Sequence, residues 1–585
     1  MFRIEGCLLL LAVIVGLTTP TIGARAFRVC EDGFRRLAEK RRLAVLVVGL
    51  GAVAVRISLL GILPEPDLVA GDEYSYLLAA DTFAHGRVTN PPHPMWIHFE
   101  PFHEIGRPTY ASMYPPAQGL VLALGKVAVG HAFAGVLVSL GLMCAAICWM
   151  LQGWFSPGWA FLGALLVMIR FCTFSYWANS YWGGALAAAG GALVVGALPR
   201  IKQRQGAGAA LLLGVGLALL ANTRPYEGLV FSLPVAAGLL IWLLSSPRPP
   251  LAAAFRRVVA PLTLVLVVAG CAMAYYFWRV TGNPFLMPQE LNRQTYAVAP
   301  YFLWQSPRPV PIYHHEVVQS LYLQRELPRY LATRTASGLA VEWGVRATGL
   351  WMFFLGPLFT FPLLMAFATL PHGFGWRNVS RSTRFLLYAS AVSIIGLAAE
   401  VFAAPHYAAP TTCLIIALVL DSMRRLRHWR WRGKPTGLFL VRAVPLIGMA
   451  MLVLRLGAVP LHLPLPPPTS FTWCTPSKPD YGRARLGRLL TTYPGRHLVL
   501  VRYKPGHDVG LEWVYNDADI DASKVVWARD MGAAQNRELL DYFRGRRAWW
   551  LEADDHPPRL IPYESDVPPS EGVRFEKALG HPGNQ

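Results

Sequence analysis

The segment GHAFAGVLVSLGLMCAAICWML, residues 130–151, contains no Asp, Glu, Lys or Arg. A helix needs about 20 apolar residues to cross the hydrocarbon core of a bilayer, so this run predicts a transmembrane helix. Similar apolar runs occur at residues 44–62, 158–172, 178–198, 206–222, 226–246, 258–278, 346–370, 384–401, 405–421 and 437–457. The sequence therefore predicts an α-helical polytopic membrane protein with about 11 transmembrane helices.

The composition supports this class of protein. Apolar residues make up 54% of the 585 residues and charged residues 15%, and the mean hydropathy is +0.37. Soluble globular chains carry about 25% charged residues, so a soluble protein is excluded. The formal net charge of +20 is explained by an excess of Lys and Arg in cytoplasmic loops. Because no basic and aromatic strip accompanies the charge, no nucleic acid partner is expected.

The positions of Lys and Arg orient the chain, because short basic loops stay in the cytoplasm. If the chain has about 11 spans, all the basic segments fall on the same side of the membrane. These segments are residues 35–42, 200–204, 248–257, 377–384 and 424–434. The membrane domain, residues 44–457, then exposes two long external loops, residues 63–117 and 280–345. Residues 1–43 are expected to form an N-terminal hydrophobic segment and a basic cytoplasmic stretch.

The first 25 residues have more than one interpretation. The sequence Ala24-Arg25-Ala26 resembles a signal-peptidase site. Cleavage there would place a basic segment outside, against the usual charge rule. We therefore favour an uncleaved extra hydrophobic segment, or a misassigned start upstream, over a signal peptide.

The outward tail is predicted to contain a folded domain. It begins with a proline-rich linker, residues 458–470, which should be extended. In residues 471–585, helices near 481–493 and 535–543 alternate with strands at 497–503 and 548–551. This alternation predicts a small C-terminal α/β extracytoplasmic domain.

Two adjacent acidic residues follow the first span in Gly71-Asp72-Glu73-Tyr74. One interpretation is structural, with Asp72 capping a short helix that runs through Leu77 to Phe83. The other is chemical, because a partly desolvated carboxylate is a stronger base toward a hydroxyl group. Its neighbour would then orient the nucleophile or hold a cation. The sequence leaves both interpretations open.

Further candidate binding residues lie at the outward ends of predicted spans. Glu227 either forms a local ion pair with Arg224 or contacts substrate. His406 and Tyr407 open a later span, where a His is either a hydrogen-bonded structural residue or a phosphate ligand. Arg170 and Arg224 can snorkel singly, but arginines that converge on one face would bind a lipid-linked phosphate bidentately.

The first external loop also carries His103 and Glu104, among prolines and aromatic residues. Imidazole and carboxylate groups can bind zinc or another divalent ion. Their spacing matches no recognised ligand pattern. These two residues are nevertheless the candidate metal ligands in this loop.

The combined pattern resembles a known superfamily. A span, an Asp-Glu pair opening a long external loop, many spans with short connections and a soluble external tail resemble the GT-C membrane glycosyltransferases. More narrowly, the chain is similar to the bacterial relatives of the dolichyl-phosphate-mannose protein mannosyltransferases and to the lipid A aminoarabinose transferase. The matching segments, within residues 44–421, are Gly71 to Tyr74, Asn222 to Glu227 and Pro405 to Pro410.

The resemblance implies an inverting transfer of a sugar from a polyprenyl-phosphate donor to a hydroxyl acceptor on a glycan, lipid or protein. It places the reaction on the periplasmic side of the bacterial inner membrane. Asp72 would be the general base and Glu73 would support it, while Arg170 and Arg224 would stabilise the departing phosphate. Some members use a divalent metal ion, and the sequence leaves the cofactor unknown.

Two other functions are compatible with a polytopic chain. A transporter or flippase of lipid-linked sugars is less favoured, because the carboxylates gather at one face and not at the midplane. A noncatalytic assembly protein for envelope polysaccharide would not need Asp72. The sequence therefore favours a glycosyltransferase, with Asp72 as the residue that discriminates between these functions.

Overall fold

A bundle of apolar helices forms most of the chain. The computed structural model describes residues 1–204, 206–245, 249–368, 379–467, 470–475 and 482–563. Parts of the predicted basic segments (248 and 377–378), linker (468–469) and tail (476–481 and 564–585) lie outside these residues. The helices are α1 Phe2–Thr18, α2 Ala24–Glu39, α3 Arg41–Ser58, α4 Gly71–Ala84, α5 Pro116–Val129, α6 Phe133–Trp154, α7 Pro157–Phe171, α8 Gly184–Arg204, α9 Ala207–Ala221, α10 Pro225–Leu244, α11 Leu251–Thr281, α12 Pro288–Tyr296, α13 Ala336–Ala368, α14 Arg381–Ala398, α15 Thr412–Leu426, α16 Thr436–Leu456, α17 Arg483–Thr492 and α18 Ala533–Tyr542. A further helical segment, at residues 316–332, lies between α12 and α13.

Each predicted apolar run coincides with one of these helices. Within the described residues, 6 helices are long and apolar enough to cross a membrane, namely α6, α8, α10, α11, α13 and α16. Their outer faces are apolar, as on α11, where Leu264 is 62% exposed and Val268 is 61% exposed. Such faces suit contact with lipid chains. The prediction of a polytopic membrane protein with a small C-terminal α/β domain is confirmed.

Small residues allow the helices to approach each other closely. Where α3 crosses α6, a Cβ atom added to Gly141 would lie 3.0 Å from the carbonyl oxygen of Gly49. On α8, a Cβ atom at Gly191 would collide with the backbone of Pro410. Because lipid tails are as apolar as the side chains, close backbone packing of this kind is a main source of helix association in membranes.

The structure differs from the predicted boundaries in several places, and one of them is α15, which begins at Thr412 and not near 405. The 14-residue helix α5 follows the first external loop and was not predicted, because it is shorter than a span. Helix α8 begins at Gly184 and not near 178, since residues 172–183 form turns that pack inside the bundle. Helix α13 begins at Ala336, about three turns earlier than predicted.

The N-terminal segment is a helix of the bundle. A Cβ atom added to Gly16 of α1 would lie 3.1 Å from the ring of Phe439 on α16. Near the other end of α1, the buried Glu5 carboxylate accepts a hydrogen bond from the backbone N–H of Leu358 at 3.0 Å. Helix α1 therefore packs against both α16 and α13.

The C-terminal domain contains a four-stranded sheet in the order β4-β3-β5-β6. Its strands are β3 His497–Arg502, β4 Val525–Arg529, β5 Arg547–Glu552 and β6 Arg559–Pro562, while the membrane domain carries the short β1 Glu104–Ile105 and β2 Ala111–Ser112. Strands β4 and β5 run parallel to β3, and β6 runs antiparallel to β5. The sequence predicted β3 and β5 but not β4 and β6.

The C-terminal domain packs directly on α4 of the first external loop. Leu78 of α4 belongs to the same apolar cluster as Leu498 and Leu500 of β3. Polar contacts accompany the cluster, because the backbone N–H of Ala518 donates to Asp81 of α4 at 2.9 Å. The C-terminal domain therefore holds α4 in place, the helix whose first turn contains Asp72 and Glu73.

We expect Leu78→Ala to weaken this docking. The substitution removes a side chain that is 2% exposed, and such truncations cost about 2–5 kcal/mol. Thermal unfolding of the purified protein in detergent should show a lower midpoint, with earlier proteolytic release of the C-terminal domain. Leu120→Ala, at a position that is 52% exposed on α5, is the matched control and should change neither readout. Equal effects of the two substitutions would contradict the docking role.

Candidate active site

The two adjacent acidic residues at the start of α4 have different environments. The Glu73 carboxylate is fully buried and accepts hydrogen bonds from the backbone N–H groups of Val69 at 3.3 Å and Ala70 at 3.2 Å. Its second oxygen accepts one from the N–H of Tyr181 at 3.2 Å. Glu73 thus caps α4, as a carboxylate in a capping box does. Of the two interpretations of Asp72, the structure does not support the capping one, because the N-cap of α4 is Ala70 and the capping carboxylate is that of Glu73.

Asp72 points to a partly open space. Its carboxylate is 30% exposed, and it accepts a short hydrogen bond from the hydroxyl of Tyr114. His103 Nδ1 lies 3.9 Å from the same carboxylate oxygen. Burial, followed by the nearby charge of Asp72, raises the pKa of Tyr114 well above its usual range, so this hydroxyl keeps its proton. Tyr114 therefore orients one oxygen of Asp72 and leaves the carboxylate available as a proton acceptor.

The C-terminal domain covers this position. The ring of Tyr515 stacks on Tyr74 at 4.3 Å with an angle of 3° between the planes. Its hydroxyl lies against Gly71, so any side chain at position 71 would collide with it. Neither Tyr114 nor Tyr515 was a sequence candidate, because a contact between distant segments has no local sequence signal.

A cavity of about 130 Å³ adjoins Asp72 through Tyr114, which forms part of its wall. The Arg224 guanidinium also faces this cavity and lies 4.4 Å over the ring of Tyr407. Arg224 Nε is buried and has no hydrogen-bond partner among the described residues. Glu227 and Glu400 line the same space. Arg224 and Glu227 interact electrostatically across this space, so the local pairing and a contact with substrate both remain open for Glu227.

Arg170 lies elsewhere in the bundle. Its guanidinium donates to the carbonyl oxygens of Phe353 at 3.1 Å and Met352 at 3.0 Å, and it lies 3.7 Å from Glu5. These contacts tie α7 to α13 and α1. The structure does not bring Arg170 together with Arg224, so we correct its assignment from phosphate binding to helix packing.

His406 belongs to a buried aromatic cluster. Its Nδ1 lies 3.2 Å from the hydroxyl of Tyr176, and its ring contacts the edge of Trp182 at 4.6 Å between centroids. His406 does not line the cavity, whereas the adjacent Tyr407 does. The structure therefore supports the hydrogen-bonded structural interpretation of His406 and leaves Tyr407 as the residue that faces a ligand.

The candidate metal ligands point to different surroundings. His103 lies beside Asp72, whereas the carboxylate of Glu104 is buried and faces the hydroxyl of Tyr110. Burial raises the pKa of Glu104 well above its usual range, which favours a neutral carboxyl group. In the described ranges, no three His, Cys, Asp or Glu side chains are placed to hold a metal ion.

The fold and the site define a polytopic membrane protein with a carboxylate and an arginine-lined cavity at the end of the bundle that carries the C-terminal domain. The chain is similar in structure to ArnT from Cupriavidus metallidurans bound to undecaprenyl phosphate, with 13% identity and a TM-score of 0.49 over 86% of this chain and 92% of that one. It is also similar to the oligosaccharyltransferase AglB from Archaeoglobus fulgidus in complex with an inhibitory peptide and a dolichol-phosphate, with 12% identity and a TM-score of 0.40 over 90% and 75% of the chains.

Both solved structures are GT-C enzymes, the class that the sequence resembles. No protein-family model and no curated protein matches the chain. Because the identities are 12–13% and the TM-scores are below 0.5, these similarities assign no substrate or residue here. The roles of the side chains are therefore inferred from their contacts.

The two acidic residues should separate stability from function. We expect Glu73→Ala to lower the thermal unfolding midpoint, because it leaves buried backbone N–H groups without an acceptor at a cost of about 1–3 kcal/mol. Asp72→Asn should unfold near the wild-type temperature, since an amide oxygen can still accept from Tyr114. Thermal unfolding in detergent measures both. A large loss of stability in Asp72→Asn, with none in Glu73→Ala, would reverse the assignment.

Proposed function

We propose that this protein is an integral-membrane glycosyltransferase that moves a sugar from a polyprenyl-phosphate donor to a hydroxyl acceptor. The observation that carries the proposal is the partly exposed Asp72 carboxylate, oriented by Tyr114 beside a cavity that contains Arg224. A base and a buried cation on adjoining walls suit a reaction in which a hydroxyl loses a proton and a phosphate leaves. The acceptor is a glycan, lipid or protein of the cell envelope.

Each side chain has a defined task in the proposed step. Asp72 accepts the proton of the acceptor hydroxyl, and that oxygen forms a bond to the anomeric carbon of the sugar. The bond from this carbon to the phosphate oxygen breaks, and the lipid phosphate leaves as an anion that Arg224 stabilises. A single displacement of this kind inverts the anomeric carbon. Glu227 and Glu400 accept hydrogen bonds from sugar hydroxyls, and Glu73 positions Asp72.

The location of the protein is part of the proposal. The basic loops predict that the end of the bundle with Asp72 faces outward. We place the protein in the bacterial inner membrane, with the site and the C-terminal domain on the periplasmic side. A metal ion is not assigned to any step, and the chemistry above uses side chains of this chain only.

We expect Asp72→Asn to reduce sugar transfer by about 10²- to 10⁴-fold, the usual contribution of a general base. The assay is transfer of radiolabelled sugar from a panel of polyprenyl-phosphate sugars in membranes that contain the purified protein. The matched control is Asp67→Asn, which changes an exposed carboxylate paired with Arg488 at 2.9 Å and should retain activity. Full transfer by Asp72→Asn would remove Asp72 as the base.

We expect Arg224→Ala to raise the KM for the lipid donor about tenfold or more, because a charge-assisted contact with phosphate is lost. Arg224→Lys should recover part of the affinity, since it restores the charge but not the bidentate geometry. Arg279→Ala is the control, because this arginine at the outer end of α11 contacts Tyr275 and does not line the cavity. An unchanged donor KM in Arg224→Ala would move the phosphate site elsewhere.

The alternative functions give different results in the same membranes. A transporter or flippase would move the lipid-linked sugar across the bilayer without transferring it to an acceptor. Sugar transfer would then be absent from both the wild type and Asp72→Asn. A noncatalytic assembly protein would bind envelope polysaccharide with or without Asp72. Transfer that depends on Asp72 therefore distinguishes the proposed enzyme from both.

A further inference from the structure

A second and larger cavity lies outside the candidate active site. Its volume is about 490 Å³, within the range of about 300–1,000 Å³ that is usual for small-molecule sites. One wall is the second external loop at residues 314–324, and the other is the edge of the sheet in the C-terminal domain. The cavity therefore lies at the junction between the membrane domain and the external domain.

The position of this cavity in the sheet matches a general rule of α/β folds. The parallel strands β3 and β4 both end at it, because Arg502 and Tyr503 at the end of β3 line it together with Arg529 at the end of β4. Open α/β sheets bind ligands at the carboxyl ends of their strands. The first turn of α18, which contributes Gln535, also faces the cavity with its amino end.

Arg529 has unused hydrogen-bonding capacity in this cavity. The residue is 3% exposed, and its Nε and Nη2 donate to the carbonyl oxygen of Glu100 at 2.9 and 2.7 Å. Nη2 also contacts the carboxylate of Glu512 at 2.9 Å. Nη1 is buried and has no partner in the described part of the chain. Because a guanidinium group only donates, a ligand here must supply acceptor oxygens.

His507 presents a second unpartnered nitrogen to the same cavity. Its side chain is 4% exposed, and its Nδ1 lies 2.6 Å from the carboxylate of Asp554. Tyr503 holds the ring from one face at 4.0 Å between centroids. Nε2 is buried without a partner among the residues described. Nε2 is therefore the ring nitrogen that remains for a polar group of a ligand.

The acidic residues of the lining do not oppose an anion. Asp530 is neutralised by Arg502 at 2.8 Å, and its other oxygen accepts from Asn536 at 2.7 Å. Glu316 is exposed at the rim. The unpartnered groups of the interior are therefore both nitrogen atoms, on one permanent cation and one imidazole.

We propose that this cavity binds a small soluble anion, whose carboxylate or phosphate oxygens contact Arg529 Nη1 and whose polar body contacts His507 Nε2. Anionic oxygens make strong hydrogen bonds to guanidinium groups, and they relieve the cost of burying Arg529 Nη1 without a partner. The volume leaves room for a saccharide or similar polar body attached to the anionic group. The proposal does not depend on the transferase reaction.

Calorimetric titration of the full-length protein in detergent tests the proposal with three probes: glucuronate, inorganic phosphate and glucose. We expect at least one anion to bind and glucose not to bind at the same concentration. Binding of glucuronate alone identifies an acidic sugar, binding of phosphate alone identifies a phosphate ligand, and binding of both identifies recognition of charge. Equal binding of glucose, or no binding of either anion at concentrations on the order of 10 mM, would overturn the proposal.

Variants locate the bound anion. His507→Gln should weaken binding about tenfold, because it removes one polar contact from the ligand. Gln535→Trp should block the cavity from its rim, whereas Arg537→Trp, an exposed position on α18 that does not line the cavity, should bind as wild type does. Loss of binding in Arg224→Ala, with retention in Gln535→Trp, would assign the anion to the membrane-domain cavity and overturn the proposal.

Discussion

The cap of α4 is the interaction on which the candidate site depends. A helix that begins at the external face exposes backbone N–H groups that need acceptors. Glu73 supplies them for Val69 and Ala70, and it also binds the N–H of Tyr181 before α8. One buried carboxylate therefore fixes both the start of α4 and its distance from the bundle. Because Glu73 has this task, the neighbouring Asp72 carboxylate is left available to Tyr114 and to a ligand.

The C-terminal domain also holds the first turn of α4. Arg483 donates to the carbonyl oxygens of Trp513 at 2.9 Å and Tyr515 at 2.8 Å, and its guanidinium lies 4.3 Å over the ring of Tyr74. The loop that carries Tyr515 is thus held against the first turn of α4. Gly71 is required at this contact, because there is no room for a side chain beneath the Tyr515 hydroxyl. The C-terminal domain is therefore part of the site environment.

The sequence predicts well what is encoded locally. Hydropathy located most of the helices of the bundle, because a helix that contacts lipid requires a long apolar run. It missed α5, whose 14 residues are too few for a span, and it missed the short strands β4 and β6. The start of α4 was recognised from its acidic pair. Which of the two acids serves as the cap depends on the backbone geometry, which the sequence pattern does not contain.

The site was predicted less completely for a related reason. Hydropathy indicates how deep a residue lies but not which residues surround it, so Arg170 and Arg224 looked equivalent in the sequence. In the structure, Arg170 is saturated by carbonyl oxygens and Glu5, while Arg224 keeps an unpartnered Nε toward a cavity, as far as the described residues show. Tyr114 and Tyr515 come from segments 42 and more residues away from Asp72. Only the tertiary fold brings them together.

The two cavities are connected through one chain segment. Arg529, which lines the larger cavity, donates twice to the carbonyl oxygen of Glu100. Glu100 lies three residues before His103. His103 in turn lies beside Asp72. An anion that binds Arg529 only when the external domain is docked stabilises the docked form by mass action. Since docking also holds Tyr515 over Gly71, we expect a ligand in the larger cavity to favour the arrangement in which the surroundings of Asp72 are complete.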